Sequence, residues 1–303
     1  MNQMNTFAIY CKTYSRDFLR VKRLLSSIDQ FNQDKIPVYV STPAQEKDLF
    51  DKVVGVNHSA TWVSDEEIIY ANTRVPKGIH EGKSGYLVQA MVRPEFWRLG
   101  LSKNYLCIDS DSQFIKNFYL SDFLGVDGNP YTVIHQNKDL LMMAANRGRL
   151  KVIDNFHAEC SRIKSVFNRT GPDYSYMPSP FIWSSEVWKS LDEQYLRPQG
   201  KTIWDVVTRD LVEYLWYGEA LLAYQAIPIK PIEPLFRVYH YDWQYFVLQR
   251  QGEDLNKVKA NYLGVIHQSN WESEMDYGSS NKGLLSRWLK SIKRFGRYLQ
   301  SFL

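Results

Sequence analysis

The chain of 303 residues is long enough for one large α/β domain or two smaller ones, and its hydrophobic content of 44% and aromatic content of 15% are those of a globular protein. No apolar run approaches the roughly 18 residues of a membrane span, and the first residues lack the basic and apolar regions of a signal peptide. Cys11, Cys107 and Cys160 have no paired spacing, which predicts buried free thiols in a reducing compartment. These features predict a cytosolic protein.

The positive charge of the chain is concentrated at its C-terminus. The net charge is +4, yet the segment from Lys282 to the end contains six basic residues and no acid, which leaves 31 basic and 33 acidic residues elsewhere. Nucleic-acid-binding domains usually present a basic surface on the folded body. The nearly neutral body therefore argues against a nucleic-acid partner.

The N-terminal third of the chain alternates apolar, strand-like runs with segments of helical periodicity. In order these are a strand at 7–11, a polar loop at 12–17, a helix at 18–31 and strands at 36–40 and 53–56. This alternation predicts parallel βαβ units. A polar stretch without periodicity follows at 59–85, and then a helix at 86–99, in which Pro94 predicts a kink or boundary near Arg93.

The next strand ends at two carboxylates. The apolar run 105–108 is followed directly by Asp109, Ser110 and Asp111. In an extended segment, side chains two residues apart point to the same side, so both carboxylates would converge beyond the carboxyl end of the strand, where open α/β sheets bind ligands. Such a pair suits Mg²⁺ or Mn²⁺ shared with substrate phosphates. The alternative is an ordinary turn, because Asp and Ser are common turn residues.

The second half of the chain continues the mixture of helices and strands. Its predicted elements are a strand at 131–135, helices at 150–167, 186–191 and 202–218, and a last strand at 258–267. A linker is expected at about 276–281, followed by a C-terminal amphipathic helix. The order of elements predicts an α/β fold.

In this order of elements the chain resembles nucleotide-sugar glycosyltransferases of the GT-A fold, and more narrowly a poorly characterised group of bacterial GT-A-like proteins. The features that carry the resemblance are the loop 12–17, Gln89 and Arg93, Ile108-Asp109-Ser110-Asp111, Pro178-Ser179-Pro180, the segment 213–218 and His267. The resemblance covers about residues 7–271. It implies a Rossmann-like fold with a mixed, mainly parallel sheet flanked by helices. The implied GT-A-like domain is 1–275, with a nucleotide-sugar-binding half at about 1–130 and an acceptor-binding half at about 131–275.

The resemblance also implies a cation that bridges the phosphates of a sugar donor. Asp111 would be the firmer metal ligand, Asp109 its partner near the metal or the ribose, and His267 the residue that completes the coordination. A neutral imidazole with carboxylates suits Mn²⁺, and Mg²⁺ is the alternative cation. The competing interpretation of His267 is a core or turn histidine held by a backbone carbonyl.

Five residues are candidates for further contacts with the nucleotide-sugar. The loop after the first strand, with Thr13, would face the base and ribose, and Lys12 and Arg16 are candidates for phosphate contacts. Gln89 and Arg93 lie four residues apart on one helical face and would point together at the donor. Their alternative is an ordinary solvated helical face.

A transfer that inverts the sugar's configuration also requires a carboxylate base opposite the leaving group. Asp210 and Glu213, three residues apart on the predicted helix 202–218, are the candidates. They could instead form surface ion pairs with Arg209 or Lys201. A retaining reaction would need no such base.

The C-terminal segment 276–303 is predicted to be a linker and a basic amphipathic helix. One helical stripe carries Leu285, Trp288, Leu289, Ile292, Phe295, Leu299 and Phe302, and basic residues lie beside it. Such a helix suits an anionic bilayer surface, with 282–303 as the contacting segment. The alternative is a helix docked on the domain.

Together these features predict a metal-dependent glycosyltransferase of the hexosyltransferase type. It would move a sugar from a nucleotide-diphosphate donor, with a UDP-sugar as first choice, to a glycan or lipid-linked acceptor in bacterial cell-surface polysaccharide synthesis. It would work at the cytoplasmic face of the membrane. The alternatives are a phosphatase or phosphotransferase with Asp109 as nucleophile, and a non-catalytic membrane-associated binding protein. In such a phosphatase the motif is expected after the first strand, with Thr or Val after the second Asp. Neither condition holds in this sequence.

Overall fold

The computed structural model describes residues 4–239, 241–267 and 284–300. The strands are β1 (Asn5–Lys12), β2 (Val38–Thr42), β3 (Ala60–Ser64), β4 (Ser102–Cys107), β5 (Ser112–Phe114), β6 (Thr132–Val133), β7 (Phe181–Ser184), β8 (Pro231–Ile232), β9 (Phe236–Tyr239) and β10 (Gly264–His267). The helices are α1 (Phe18–Phe31), α2 (Lys47–Val54), α3 (Asp65–Tyr70), α4 (Gly85–Val92), α5 (Lys138–Asn146), α6 (Leu150–Val166), α7 (Ser185–Leu191), α8 (Ile203–Val206), α9 (Glu213–Tyr224), α10 (Asp242–Arg250), α11 (Leu255–Asn261) and α12 (Leu284–Gln300).

The central sheet has five strands in the order β3-β2-β1-β4-β7. The first four are parallel, and β7 runs antiparallel to β4. A three-stranded sheet, β5-β10-β9, lies beyond the carboxyl end of β4, because β5 begins five residues after β4 ends. The predicted fold class, a mixed and mainly parallel sheet flanked by helices, is confirmed.

Both faces of the central sheet are buried, as parallel sheets require. Successive residues of β1 point to opposite faces and pack into different cores. Ala8 and Tyr10 belong to one core with α4, α7 and α9, whereas Phe7, Ile9 and Cys11 pack in the other with α1. All are buried, which explains why β1 is a continuous apolar run rather than an alternating one.

Several element predictions are confirmed. The helix predicted at 18–31 is α1, and its periodic residues Phe18, Val21, Leu24, Leu25 and Ile28 are all buried. The α-helix predicted at 86–99 ends at Val92, and a 3-10 helix continues over Arg93–Leu99, so the boundary expected near Arg93 is present. All three cysteines are free and buried.

The predicted third strand at 53–56 is wrong. Val53 and Val54 end α2 instead, with Phe50 and Val54 buried one helical turn apart, and the helix stops at Gly55, whose φ is +91°. The third strand is β3, within the stretch that was predicted to lack periodicity. Helical burial explains these apolar residues better than a strand does.

Two longer predictions in the second half are also wrong. The single helix predicted at 202–218 is α8 and α9 separated by residues 207–212, because Val207 takes an extended conformation at the end of α8. The last strand predicted at 258–267 is α11 followed by β10, with Tyr262 extended between them. The strand predicted at 131–135 is reduced to β6.

Among the described residues, no helix combines the length and apolar character needed to cross a membrane. The predicted C-terminal amphipathic helix is present as α12. The linker predicted at 276–281 lies outside the described residues. Phe302 also lies outside them.

Candidate functional site

The carboxyl ends of β1 and β4 form the point where the sheet order reverses. The chain builds β1, β2 and β3 outward in one direction and then returns to place β4 on the other side of β1. The amide of Ile108 donates to the carbonyl of Tyr10 at 2.9 Å, so the two strand ends stay joined. Open α/β sheets bind ligands in the crevice beside such a reversal. The chain segments after β1 and β4 therefore meet at a candidate ligand site.

Asp109 and Asp111 lie in a hydrogen-bonded turn rather than in an extended segment. β4 ends at Cys107, and the amide of Ser112 donates to the carbonyl of Asp109 at 3.1 Å. The sequence argument that the two side chains share one side of a strand is therefore wrong for this segment. Both residues remain at the carboxyl end of β4, where the sequence predicted them.

Asp109 is held by the two residues predicted to point at the donor. Gln89 Nε2 donates to Asp109 Oδ1 at 3.2 Å, and Arg93 Nη1 donates to the same oxygen at 2.7 Å. The other oxygen, Oδ2, accepts no hydrogen bond from the described residues, and the Asp109 side chain is 26% exposed. One carboxylate oxygen is therefore fixed while the other is open to a ligand.

Arg93 connects Asp109 to a second carboxylate. Its Nη2 donates to Glu213, whose side chain is 1% exposed, and its guanidinium lies 5.8 Å from the ring of Phe181. Burial opposes the charge of Arg93, but the carboxylates of Glu213 and Asp109 outweigh it and raise the pKa of the guanidinium. Arg93 therefore stays protonated and holds two acids from opposite sides.

Burial raises the pKa of Glu213 above the ordinary glutamate value, while Arg93 acts to lower it. The carboxylate is closed off from solvent and already hydrogen-bonded to Arg93. A group in this position is suited to orienting Arg93. Sequence reasoning selected Glu213 but not its pairing with Arg93, which lies 120 residues earlier.

Asp210 and Glu213 do not share a helix. Glu213 begins α9, whereas Asp210 lies in the loop before it, with a side chain that is 71% exposed. Asp210 Oδ2 lies 3.5 Å from Arg162, rather than beside Arg209 or Lys201. The two candidate acids are thus in different environments, one buried and one in solvent.

Lys12 forms a buried ion pair behind the loop after β1. Its Nζ lies 2.8 Å from Asp65 Oδ2, and the two side chains are 5% and 4% exposed. Nζ also donates to the carbonyl of Thr13 at 2.7 Å. Lys12 points to Asp65, whereas Arg16 is exposed. A phosphate contact by Lys12 would compete with this pair.

Sequence reasoning missed Asp65. Ser64 and Glu67 form a capping box around the start of α3, and Ser-x-x-Glu is a helix-start signal that is visible in the sequence. Recognising it would have placed Asp65 at the beginning of a helix after β3. The carboxyl end of β3 is at the same edge of the sheet as that of β1, because the strands are parallel.

The Lys12–Asp65 pair predicts a pH-dependent loss of stability. Burial raises the pKa of Asp65, and Lys12 opposes that shift. We expect Lys12→Met to leave an unpaired buried carboxyl, whose native pKa rises further above its unfolded value of about 3.9. At pH values between the unfolded-state pKa and the native-state pKa of Asp65, only the unfolded protein releases the carboxyl proton. The free energy of unfolding of the variant should therefore fall as pH rises, with a cost of about 3–5 kcal/mol at pH 8 and little cost near pH 4.

Urea unfolding at pH 4, 6 and 8 measures this dependence. The control is Lys12→Met combined with Asp65→Asn, which has no carboxyl to titrate and should show no growing cost with pH. An equal cost for Lys12→Met at all three pH values would contradict a charged Asp65 in the native protein.

Two buried hydroxyls at the reversal have no hydrogen-bond partner among the described residues. They are Thr13 Oγ1, after β1, and Ser112 Oγ, at the start of β5. Arg93 Nε is also buried without a partner. Buried polar atoms are nearly always satisfied by protein, water or ligand. Both hydroxyls lie in the chain segments that follow β1 and β4.

The predicted metal ligands lie in the turn after β4 and at the end of β10. Asp111 is half-buried in the turn, and the backbone of His267 pairs with Tyr239 at the end of β10, but the imidazole of His267 lies outside the described residues. Within the part of the chain that the structure describes, no group of three or more His, Cys, Asp or Glu side chains could hold a metal. The oxygen donors of Asp109 and Asp111 fit a hard divalent cation, since Asp109 Oδ2 is open.

The fold is shared with a solved glycosyltransferase structure. The chain is similar to the WbbM bifunctional glycosyltransferase in its apo form, with a TM-score of 0.52 and 9% identity over 98% of this chain and 52% of that one. The chain thus spans about half the length of that protein. At this identity the likeness shows the fold alone, which is a GT-A-like, Rossmann-type α/β fold.

A family model matches residues 6–250, and the chain belongs to this family, DUF6492, described as a family of unknown function. The comparison with curated proteins finds no match. The matched residues contain Asp109, Arg93 and Glu213.

Proposed function

We propose that the protein is a glycosyltransferase that moves a sugar from a nucleotide-diphosphate donor, with a UDP-sugar as first choice, to a glycan or lipid-linked acceptor. The observation that carries the proposal is the Asp109 carboxylate at the reversal of the sheet, with one oxygen fixed by Gln89 and Arg93 and the other open. The GT-A-like fold supports the same conclusion. Such a transfer would serve the synthesis of bacterial cell-surface polysaccharide.

In the proposed reaction the bond between the anomeric carbon and the diphosphate oxygen breaks, and the nucleoside diphosphate leaves with the electron pair. The acceptor hydroxyl oxygen bonds to the anomeric carbon and loses its proton. Asp109 and Asp111, with His267, would hold a divalent cation, Mn²⁺ or Mg²⁺, which when bound neutralises charge on the leaving group. Arg93 fixes the orientation of Asp109, and Glu213 fixes that of Arg93.

The two candidate acids suit different roles. Glu213 is a positioning residue, because its carboxylate is buried and occupied by Arg93. Asp210 is exposed and is the proposed base if the reaction inverts the configuration of the sugar. Thr13 and Arg16 are the proposed contacts to the nucleotide, since both follow the carboxyl end of β1.

The alternative of an Asp-nucleophile phosphatase is disfavoured by the position of the motif in the chain. The motif follows the fourth strand of the sheet rather than the first.

The proposal is tested by incubating the protein with a panel of nucleotide-sugars and Mn²⁺ and measuring release of the nucleoside diphosphate. We expect hydrolysis of one donor, dependent on the metal and lost in Asp111→Ala. Release of phosphate from p-nitrophenyl phosphate, with no nucleotide-sugar turned over, would instead favour the phosphatase.

The proposal includes a place of action at the inner face of the cell membrane through α12. Its apolar stripe is exposed, with Trp288, Leu289, Ile292, Phe295 and Leu299 between 49% and 62% accessible. Tyr298 contacts Phe246 of α10 at 5.7 Å between ring centroids. The helix α12 thus contacts the domain through Tyr298, as the docked alternative expects, while its apolar stripe stays exposed.

An anionic lipid surface is the occupant that fits this stripe. The segment from Lys282 onward has six basic residues and no acid. Each basic residue near an anionic bilayer contributes about 1 kcal/mol, and aromatic residues insert at the interface. A second protein would have to supply both an apolar groove and an acidic rim.

We expect Trp288→Ser combined with Phe295→Ser to lower binding to vesicles with anionic phosphatidylglycerol at least tenfold, since each aromatic side chain contributes about 1.5–3 kcal/mol when buried. Co-sedimentation measures the bound fraction. Val126→Ser, which alters an exposed apolar residue outside α12, is the matched control. Equal binding by both proteins, or by a chain lacking 282–303, would contradict the role of α12.

A further inference from the structure

A cavity of about 980 Å³ lies in the second half of the chain, and none of its lining residues belongs to the proposed donor site. Its walls come from the segment before α5, the strands β8 and β9, and the helices α10 and α11. The volume is at the upper end of the range of roughly 300–1,000 Å³ for small-molecule sites. It has room for a ligand larger than one sugar ring.

Two walls connect this cavity to the turn. Pro178 lines the cavity, and the three residue steps from Pro178 to Phe181 span at most about 11 Å. Phe181 pairs with Cys107 at the end of β4, and its ring contacts Arg93. This wall of the cavity is thus joined by a short chain segment to the residue that contacts Arg93.

The second wall is β9. Val238 lines the cavity and pairs with Ile266 of β10, which in turn pairs with Ser112. Two strand spacings amount to about 10 Å, and Ser112 directly follows Asp111. Both connections place a wall of the cavity within roughly 10–16 Å of the Asp109 turn.

The cavity is lined by amides and aromatic rings and has balanced charge. The amides are Gln136, Asn137, Gln244 and Asn261, and the rings are Tyr174 and Tyr262. Amides both donate and accept hydrogen bonds, as sugar hydroxyls require, and tyrosine rings offer apolar faces.

The cavity lining has no excess of positive charge. Lys138 and Arg237 are matched in number by Asp139 and Glu233, and the guanidinium of Arg237 is paired with Glu253 at 2.6 Å. A phosphorylated ligand would need several cations facing it. The lining favours an uncharged, polyhydroxylated ligand.

One wall of the cavity is rigid. His135 Nδ1 accepts from the amide of Asn137 at 3.2 Å, and Nε2 donates to the carbonyl of Met177 at 2.6 Å. Both ring nitrogens are therefore occupied, so His135 shapes the wall without acting as a base. A preformed wall lowers the cost of ordering on binding.

We propose that this cavity binds a neutral oligosaccharide, which is the acceptor; the acceptor role rests on the proposed transferase function. The site has room for more than one sugar ring. This proposal gives the residues between β6 and α11 the role of recognising the acceptor.

Binding is tested without donor or turnover. Saturation-transfer NMR with a panel of neutral di- to tetrasaccharides identifies binders to the full-length protein, and titration gives their affinity. Asn261→Trp places an indole at the wall of the cavity from an exposed position at the end of α11, outside the buried core. Asn57→Trp makes the same change at an exposed residue outside the cavity and is the matched control.

We expect at least one oligosaccharide to bind, with affinity at least tenfold lower in Asn261→Trp and unchanged in Asn57→Trp. Gln136→Ala, which removes one amide from the lining, should also weaken binding. Absence of any bound oligosaccharide, or equal affinity in all variants, would overturn the proposal.

A donor assay separates this proposal from the transferase function. If the cavity variants lose oligosaccharide binding but no nucleotide-sugar is hydrolysed by the wild-type protein, the transferase proposal fails and the glycan site stands. If a donor is hydrolysed but no oligosaccharide binds, the transferase stands and the cavity proposal fails.

Discussion

Arg93→Met is expected to lower the free energy of unfolding by about 3–5 kcal/mol, because it leaves the Glu213 carboxylate buried without its cation. The methionine fills part of the space of the arginine stem, so packing loss is minor beside the unpaired charge. Urea unfolding of the two proteins measures the difference.

The control is the double variant Arg93→Met with Glu213→Gln. Removing both charges should recover most of the lost stability, since a neutral amide is far less costly to bury than a carboxylate. If Glu213→Gln gave no recovery, the cost of Arg93→Met would come from packing alone. Arg93 would then not act as the counterion of the buried Glu213 carboxylate.

Asp109→Asn is expected to lower nucleotide-sugar turnover by roughly 10²–10³, the size of effect seen when one group that stabilises developing charge is lost. The amide has the shape of the carboxylate but weakens both the ion pair with Arg93 and any bond to a cation. Because Asp109 is partly exposed, the thermal midpoint of the variant should stay near that of the wild type. Steady-state kinetics and a thermal melt measure the two quantities.

Asp122→Asn provides a matched control at another half-buried carboxylate, which lies in the 3-10 helix Leu120–Asp122 and accepts from the amide of Tyr119 at 2.7 Å. It should leave turnover unchanged. If Asp109→Asn kept the turnover of the wild type, the Asp109 turn would have no role in the reaction, even though the fold is GT-A-like.

Much of the fold was predictable, because β1, α1, β2 and β4 have apolar residues in the pattern of their element. The failures share one cause. At α2, α8 and α11 short apolar runs fit a strand or a longer helix equally well, and tertiary packing decided between them. Some local signals were present, because Thr202 and Asp205 form a capping box at α8 and Asp254 caps the start of α11.

The site was predictable only in its local parts. Gln89 and Arg93 were expected to point together because they are one helical turn apart, and both contact Asp109. The partners Glu213 and Asp65 were not predictable, since each joins its cation across a long stretch of sequence. The cavity likewise assembles from segments that meet only in the fold.

Crystals grown or soaked with Mn²⁺ and uridine diphosphate test the central claim most directly. We predict an anomalous manganese peak in contact with carboxylate oxygens of Asp109 or Asp111, with the diphosphate bound to the same ion. A uridine diphosphate bound elsewhere, or an ordered diphosphate with no manganese at this turn, would contradict the account.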